Sequence, residues 1–170
     1  MHFLKQFSHS KHYWAFLLVL SLALELTALY YQYVLDEWPC VLCIHIRIWL
    51  SGIMVVSLLA LILKQSNWTT RLCHIANTAL IIGFVERSWQ TLAVERGWIF
   101  GDCNMDAGLP PWFALDKWLP WLFEVKTSCG YTPYIIFQIS MAEILMLLSS
   151  GLLAVGLTLT VVSLLPSSKS

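Results

Sequence analysis

The segment from Trp38 to Arg47, WPCVLCIHIR, holds a Cys-x-x-Cys pair followed one helical turn later by an arginine. Pro39 lacks a backbone N–H and disfavours helical geometry in the residue before it, so we expect a helix to begin at about Cys40. That start places Cys43 in the first turn, where unpaired N–H groups and the helix dipole favour a thiolate over a thiol. Arg47 lies four residues further on the same face and brings a permanent cation beside that sulfur.

Three kinds of chemistry use a Cys-x-x-Cys pair, and its surroundings favour redox exchange. A zinc site would need two more ligands at the spacing of known zinc motifs, but Cys103 and Cys129 are far apart and no histidine pair accompanies them. A purely structural disulfide between Cys40 and Cys43 would close so small a ring that it would stabilise little. We therefore predict a redox-active pair and no metal site.

The composition is typical of an integral membrane protein. The chain has 170 residues, of which 58% are hydrophobic and 12% are charged, and its mean hydropathy is +0.70. The formal net charge is +0, so nothing suggests a nucleic-acid partner. Four of the five cysteines fall into two pairs that flank apolar runs, which indicates an oxidising compartment for those four.

Four apolar runs are long enough to cross a bilayer, at about 13–35, 44–63, 72–92 and 144–162. They predict an all-α membrane protein, a four-transmembrane-helix bundle that forms one domain over residues 1–170, with outer loops at about 36–43 and 93–143. Glu25 lies deep in the first run, where a protonated or hydrogen-bonded packing role is the simplest interpretation. Glu143 divides the last apolar stretch into an interfacial lead-in and the fourth span.

The second outer loop carries a short pattern of helical periodicity. The apolar residues at i, i+3, i+4 and i+7 are Leu115, Trp118, Leu119 and Leu122, with further aromatic residues beside them. A core stripe is the usual meaning of such spacing, but this loop is too small to build a core of its own. Tryptophan-rich faces of this kind lie in the membrane interface, so we predict a short interfacial amphipathic helix.

The distribution of charge sets the orientation. These basic residues flank the spans on one side: Lys5, Lys11, Lys64, Arg71 and Lys169. The opposite loops are rich in Asp and Glu, so the basic side is cytoplasmic and holds both termini. The two cysteine pairs then face the outer compartment. Cys73 falls at the cytoplasmic mouth of the third span, where we expect a reduced packing residue.

The chain resembles the DsbB family of bacterial disulfide bond formation proteins over nearly its whole length. The segments that carry the resemblance are ALELTAL at 23–29, PCVLCIHIR at 39–47 and LDKW at 115–118, which lies between the loop cysteines. The resemblance implies a four-helix bundle of the cell inner membrane whose redox cysteines are periplasmic. It also implies that the protein reoxidises the periplasmic dithiol oxidase DsbA and passes the electrons to ubiquinone or menaquinone.

Carried over residue by residue, the resemblance assigns two disulfides. Cys103 and Cys129 match the pair that meets DsbA, whereas Cys40 and Cys43 match the pair beside the quinone, with Arg47 as a quinone contact. In the implied exchange, a DsbA thiolate attacks Cys103, the released Cys129 attacks Cys40, and Cys43 is left as a thiolate against the quinone ring.

The chain also departs from the family pattern. Family members can carry a histidine near the outer end of the third span, and this chain has none after His74. Gln90 and Glu95 are the candidates for that space and for the second quinone contact. His45 and Ile46 stand where other side chains are expected, so the rim of the quinone pocket is expected to differ. His45 could act as a donor there, although an interfacial histidine is more often only solvated.

Two other functions fit part of the pattern. An enzyme of the vitamin K epoxide reductase type also sets a Cys-x-x-Cys at the outer end of a membrane helix and uses quinones, but its bundle is ordered differently. A non-enzymatic tetraspan scaffold would use a Cys103 to Cys129 disulfide only to staple its loop. That alternative leaves Arg47 and the Pro39-led Cys-x-x-Cys without a role.

Overall fold

The structure, a computed structural model, describes residues 10–63, 66–101, 106–130, 134–136 and 139–164. In chain order its elements are α1 (Lys11–Val34), α2 (Val41–Ile62), α3 (Asn67–Glu95), a 3-10 turn (Pro111–Phe113), α4 (Leu115–Trp118), α5 (Pro120–Phe123), β1 (Tyr134–Ile136), β2 (Ile139–Ser140) and α6 (Met141–Leu164). Helix α1 packs against α2, α2 against α3, and α3 against α6. The predicted all-α membrane bundle of four long helices is confirmed.

The four long helices differ in how apolar they are. Among the described residues, α1, α2 and α6 are each long and apolar enough to cross a membrane, and α3 is not in that group. Helix α3 has 29 residues, covers the predicted span 72–92 and packs between α2 and α6. Its lower hydropathy reflects the polar side chains that it buries inside the bundle: Thr70, His74, Asn77, Thr78, Ser88 and Thr91.

The start of α2 agrees with the expectation drawn from Pro39. Cys40 is the N-cap residue and has extended backbone geometry, and its sulfur accepts a hydrogen bond from the backbone N–H of Cys43 at 3.4 Å. Helix α2 therefore begins at Val41, three residues before the predicted span. Cys43 lies in the first turn, where backbone N–H groups have no partner within the helix.

Helix α6 also begins three residues before its predicted span, and a capping box explains the difference. The Ser140 hydroxyl accepts from the N–H of Glu143 at 3.3 Å, and the Glu143 carboxylate accepts from the N–H of Ser140 at 3.1 Å. Glu143 therefore supports the first turn of α6 and does not divide an apolar stretch. The chain before α6 forms the antiparallel pair of β1 and β2, which pairs Tyr134 with Ser140, where an interfacial lead-in was expected.

The amphipathic segment of the long loop consists of two consecutive single turns, α4 and α5. Pro120 is the first residue of α5 and cannot donate a hydrogen bond back into α4, so the two turns do not merge. Phe123 is buried in a cluster with Val41 and Ile44 of α2. The tryptophans point outward and are exposed: Trp112, Trp118 and Trp121. The segment thus packs one face on the bundle and presents a tryptophan-rich face outward.

Candidate redox site

Three sulfur atoms meet at the N-terminus of α2. The Sγ atoms of Cys40 and Cys43 are 2.8 Å apart, and Cys129 of the long loop lies beside Cys40, with which it lines a small crevice. Cys40 is buried and Cys43 and Cys129 are half-buried, and all three are free thiols in this structure. Thiol–disulfide exchange requires direct approach of one sulfur to another, and Cys40 lies between the two possible partners. The Cys40 to Cys43 disulfide stays a prediction: the two sulfur atoms, 2.8 Å apart, are in contact but are not bonded, since an S–S bond is roughly 2.05 Å long.

The contacts among these sulfurs control which of them ionise. The pKa of the Cys40 thiol is raised to about 12: the hydrogen bond with Cys129 lowers it, but the contact with Cys43 and burial outweigh that effect. The pKa of the Cys129 thiol is also raised, first by its contact with Cys40 and then by burial. In the reduced state both groups therefore hold their protons at neutral pH.

The backbone of the loop holds Cys129 against α2. The N–H of Lys126 donates to the carbonyl of Pro39 at 3.1 Å, and Thr127 forms a parallel bridge with Cys40. The ammonium of Lys126 lies 4.6 Å from the centre of the Trp38 ring, a cation–π contact. This short strand-like pairing fixes the loop in register with the Cys-x-x-Cys, so Cys129 follows two residues after the paired Thr127.

Cys103 lies outside the described residues, but the chain that precedes it is placed. Gly101 packs so tightly on Cys129 that a Cβ at this position would lie 3.1 Å from the Cys129 carbonyl oxygen, 3.2 Å from its Cβ and 2.9 Å from Val94 Cγ1. The disulfide between Cys103 and Cys129 stays a prediction; Gly101, two residues before Cys103 in the sequence, lies against Cys129.

Gly101→Ala should displace Cys129 from Cys40, because the new methyl group meets a backbone oxygen that cannot rotate away. In a background with Cys43→Ser and Cys103→Ser, we expect oxidative cross-linking between Cys40 and Cys129 to slow by roughly tenfold, as for an overpacked core position. Gly151→Ala is the matched control, since nothing lies within 4 Å of a Cβ there. Equal cross-linking rates in the two variants, followed on non-reducing gels, would contradict the packing described.

A cavity of about 280 Å³ opens directly below the sulfurs. It is lined by α1, α2 and α6, by Thr91 from α3, and by the segments 36–39 and 127–128. Its wall is mainly apolar, and Cys40, Cys43 and Arg47 all line it. An apolar cavity with a few convergent polar groups is the usual form of a small-molecule site.

A buried network holds Arg47 at the wall of this cavity. Its Nε donates to Glu25 Oε2 at 3.2 Å and its Nη1 donates to Gln32 Oε1 at 2.7 Å. Ser51 Oγ donates to the other carboxylate oxygen of Glu25 at 3.3 Å. All three interacting side chains are at most 6% exposed: Glu25, Gln32 and Arg47. Nη2 of Arg47 is buried and has no hydrogen-bond partner within the described ranges, so its N–H groups are unsatisfied by the protein there.

The two candidates for a second cavity contact on α3 lie elsewhere. Gln90 makes hydrogen bonds within α3: its side chain accepts from Arg87 at 2.8 Å and donates to Glu86 at 3.3 Å. It is not one of the described residues that line the cavity. Glu95 lines a small crevice beside Cys40 and Cys129. Thr91 is the α3 residue that reaches the cavity. The sequence does not show that Thr91 rather than Gln90 or Glu95 faces the cavity, because that choice depends on how α3 is rotated about its axis.

His45 has a structural contact that the sequence did not indicate. It is half-buried, and its Nε2 donates to the carbonyl of Ala107 at 2.8 Å, so it ties the long loop to the first turns of α2.

Cys73 packs in a cluster with Tyr13, Trp14 and Leu17 at the opposite end of the bundle from Cys40. Within the described part of the chain, no group of three or more His, Cys, Asp or Glu side chains is placed to hold a metal ion.

Sequence reasoning missed Gln32 and treated Glu25 only as a packing residue. One signal was available: Gln32 follows Glu25 by seven residues, which places both on one face of α1 inside an apolar run. The spacing did not show that this face of α1 contacts Arg47 on α2, because packing between helices sets how each helix is rotated.

The chain is similar to known disulfide bond formation proteins. Residues 10–159 match the family model described as disulfide bond formation protein DsbB. Proteins named disulfide bond formation protein B are similar to the chain, including one from Shewanella frigidimarina (35% identical, covering 85% of this chain and 86% of the relative) and one from Aeromonas salmonicida (29% identical, 94% and 92%). The chain therefore belongs to the DsbB family of disulfide bond formation proteins.

Proposed function

We propose that this protein is a membrane thiol:quinone oxidoreductase that reoxidises a DsbA-like periplasmic dithiol oxidase and passes the electrons to ubiquinone or menaquinone. The observation that carries the proposal is the continuous series of contacts from the long loop to the cavity. Cys129 and Cys40 line one small crevice, Cys40 lies 2.8 Å from Cys43, and Cys43 and Arg47 line the cavity. Each sulfur can therefore reach the next without a large movement.

The exchange begins in the loop. A thiolate of the partner attacks Cys103 in the Cys103–Cys129 disulfide, which forms a mixed disulfide and releases Cys129 as a thiolate. Cys129 then attacks Cys40 in the Cys40–Cys43 disulfide and releases Cys43 as a thiolate. The second thiolate of the partner attacks its own cysteine in the mixed disulfide, so the partner leaves oxidised and Cys103 returns as a thiolate.

The second half of the exchange returns the loop to its oxidised state. Cys103 attacks Cys129 in the Cys40–Cys129 disulfide and releases Cys40, which leaves both Cys40 and Cys43 reduced. The two electrons taken from the partner now reside in this dithiol at the wall of the cavity. Cys43 sits in the first turn of α2, where free backbone N–H groups stabilise its thiolate.

The residues around the cavity fit a quinone. Its volume of about 280 Å³ and mainly apolar wall suit a flat ring, and the unpaired Nη2 of Arg47 is a cationic donor for an oxygen that gains negative charge. A bound quinone would supply an acceptor for two electrons and two protons. Arg47 would orient it, and Trp38, Pro39 and Thr127, which also line the cavity, would restrict water.

Orientation and location belong to the same proposal. In this proposal both termini lie in the cytoplasm and the cysteines face the periplasm, because the basic residues of the sequence flank the spans on the side opposite to the cysteine pairs. The tryptophan-rich face of α4 and α5 then lies at the periplasmic interface with lipid. An oxidising compartment allows the disulfides of the cycle to persist.

Purified protein, a reduced DsbA-like partner and a soluble quinone should together oxidise the partner's thiols and bleach the quinone absorbance, with one quinone reduced per disulfide formed. Cys43→Ser should abolish turnover, and Cys73→Ser, at the other end of the bundle, should leave it unchanged. Thiol oxidation without any quinone consumption would overturn the quinone assignment. No thiol oxidation with any quinone would favour the non-enzymatic scaffold.

A further inference from the structure

The polar wall of the cavity contains a second donor beside Arg47. Gln32 lines the cavity, is 2% exposed and uses its Oε1 to accept from Arg47 Nη1 at 2.7 Å. Its Nε2 makes no hydrogen bond to any part of the chain that the structure describes. A buried amide N–H without a partner costs free energy, so such a group is normally matched by a ligand or water.

The orientation of this amide is fixed by chemistry. A guanidinium has five donors and no acceptor, so the atom of Gln32 that faces Nη1 must be the carbonyl oxygen. The opposite orientation would place two donors against each other. The Nε2 group is therefore directed away from Arg47, and Glu25 holds Arg47 in place from the other side through Nε. Glu25 and Arg47 together determine where the free N–H of Gln32 lies.

We infer that Gln32 donates a hydrogen bond from Nε2 to a carbonyl oxygen of the bound quinone and so supplies the second polar contact in place of Gln90 or Glu95. The inference rests on the proposed function, because it names a further binding residue in that site. Gln32 and the free Nη2 of Arg47 are then two donors on one wall, and Glu25 is a positioning residue that holds both. A neutral amide adds a directional contact without a second buried charge.

Binding without turnover tests this role. The protein is kept oxidised with no dithiol present, and a short-chain ubiquinone analogue is titrated. Binding is followed by tryptophan fluorescence, because Trp38 lines the cavity and its emission should change when the analogue binds. We expect Gln32→Met, which is similar in size but apolar, to raise Kd by about five- to tenfold. Gln90→Met is the matched control, since this glutamine is bonded within α3, and it should bind like wild type.

A second measurement separates direct contact from an effect through Arg47. If Gln32 only positioned Arg47, Gln32→Met would add nothing to Arg47→Met; a direct donor should multiply the two increases in Kd. The infrared carbonyl stretch of ¹³C-labelled quinone should also shift to higher frequency in Gln32→Met. Circular dichroism and the unfolding midpoint of each variant establish that it is folded.

The outcomes are distinguishable. A wild-type protein that binds quinone, with Gln32→Met binding equally well and showing the same carbonyl frequency, would refute the role of Gln32 and leave the proposed function standing. A double variant no weaker than Arg47→Met would reassign Gln32 as a positioning residue and overturn the direct contact. A wild-type protein that binds no quinone would refute both the inference and the proposed quinone acceptor.

Discussion

A partner whose second cysteine has been replaced by serine should stay covalently bonded to Cys103 of the wild-type protein, while Cys129 is found in a disulfide with Cys40. The partner thiolate breaks the Cys103–Cys129 bond, and Cys129 moves to the sulfur of Cys40, which it lies beside. Because the partner lacks a resolving thiol, the state accumulates. Mass spectrometry of a non-reduced digest identifies both bonds.

Cys40→Ser should reverse that result. Cys129 then has no disulfide to attack except the mixed disulfide at Cys103, so it expels the partner and the adduct becomes scarce. Cys73→Ser is the control and should give the wild-type yield, because Cys73 packs among Tyr13, Trp14 and Leu17 far from the exchange. Recovery of the partner on Cys129, or of Cys129 joined to Cys43, would refute the proposed order of the four cysteines.

Local chemistry in the sequence predicted the start of α2 and the positions of Cys43 and Arg47 on it. Pro39 and the Cys-x-x-Cys spacing fix where α2 begins, and from that start follow the first-turn position of Cys43 and the same-face position of Arg47. These relations span seven residues of one helix, where periodicity alone sets geometry. The capping box of α6 was equally local, but Glu143 was interpreted through its charge and its reciprocal bonds with Ser140 were missed.

Contacts between elements were not predictable in the same way. Glu25 and Gln32 meet Arg47 across two helices, and the choice of Thr91 over Gln90 depends on how α3 is rotated against α2 and α6. Neither follows from the spacing within a single segment. Cys40 and Thr127, which form the parallel bridge, are still further apart in sequence. Only the fold shows that the loop pairs with the N-cap of α2.

The buried network also explains how an ion pair is kept inside an apolar bundle. Removing two charges from water is costly, and attraction between them compensates only where further hydrogen bonds satisfy their polar atoms. Ser51 and Gln32 provide such bonds to Glu25 and Arg47. Two donors of the network have no hydrogen-bond partner among the described residues, Nη2 of Arg47 and Nε2 of Gln32, and both residues line the cavity.

Glu25→Leu should therefore be among the most damaging single substitutions in the bundle. It leaves the Arg47 guanidinium buried without a counter-charge, and a guanidinium cannot lose its proton, so we expect a loss of roughly 3–5 kcal/mol. For a chain of this size that loss lowers the unfolding midpoint by roughly 10 °C. Thermal unfolding in detergent, followed by circular dichroism, measures it. Glu86→Leu, at an exposed glutamate of α3, should change stability by no more than about 0.5 kcal/mol.

The double variant Glu25→Leu/Arg47→Leu separates stability from function. With both charges removed, no buried charge is left uncompensated, so the unfolding midpoint should return close to that of wild type. Arg47→Leu alone should cost less than Glu25→Leu, because a lone carboxyl group can take up a proton and become neutral. Quinone reduction should stay impaired in the double variant and in Arg47→Leu, with a raised KM for the quinone, since both lack the cationic donor. A double variant as unstable as Glu25→Leu, or one with wild-type quinone kinetics, would refute the role assigned to this pair.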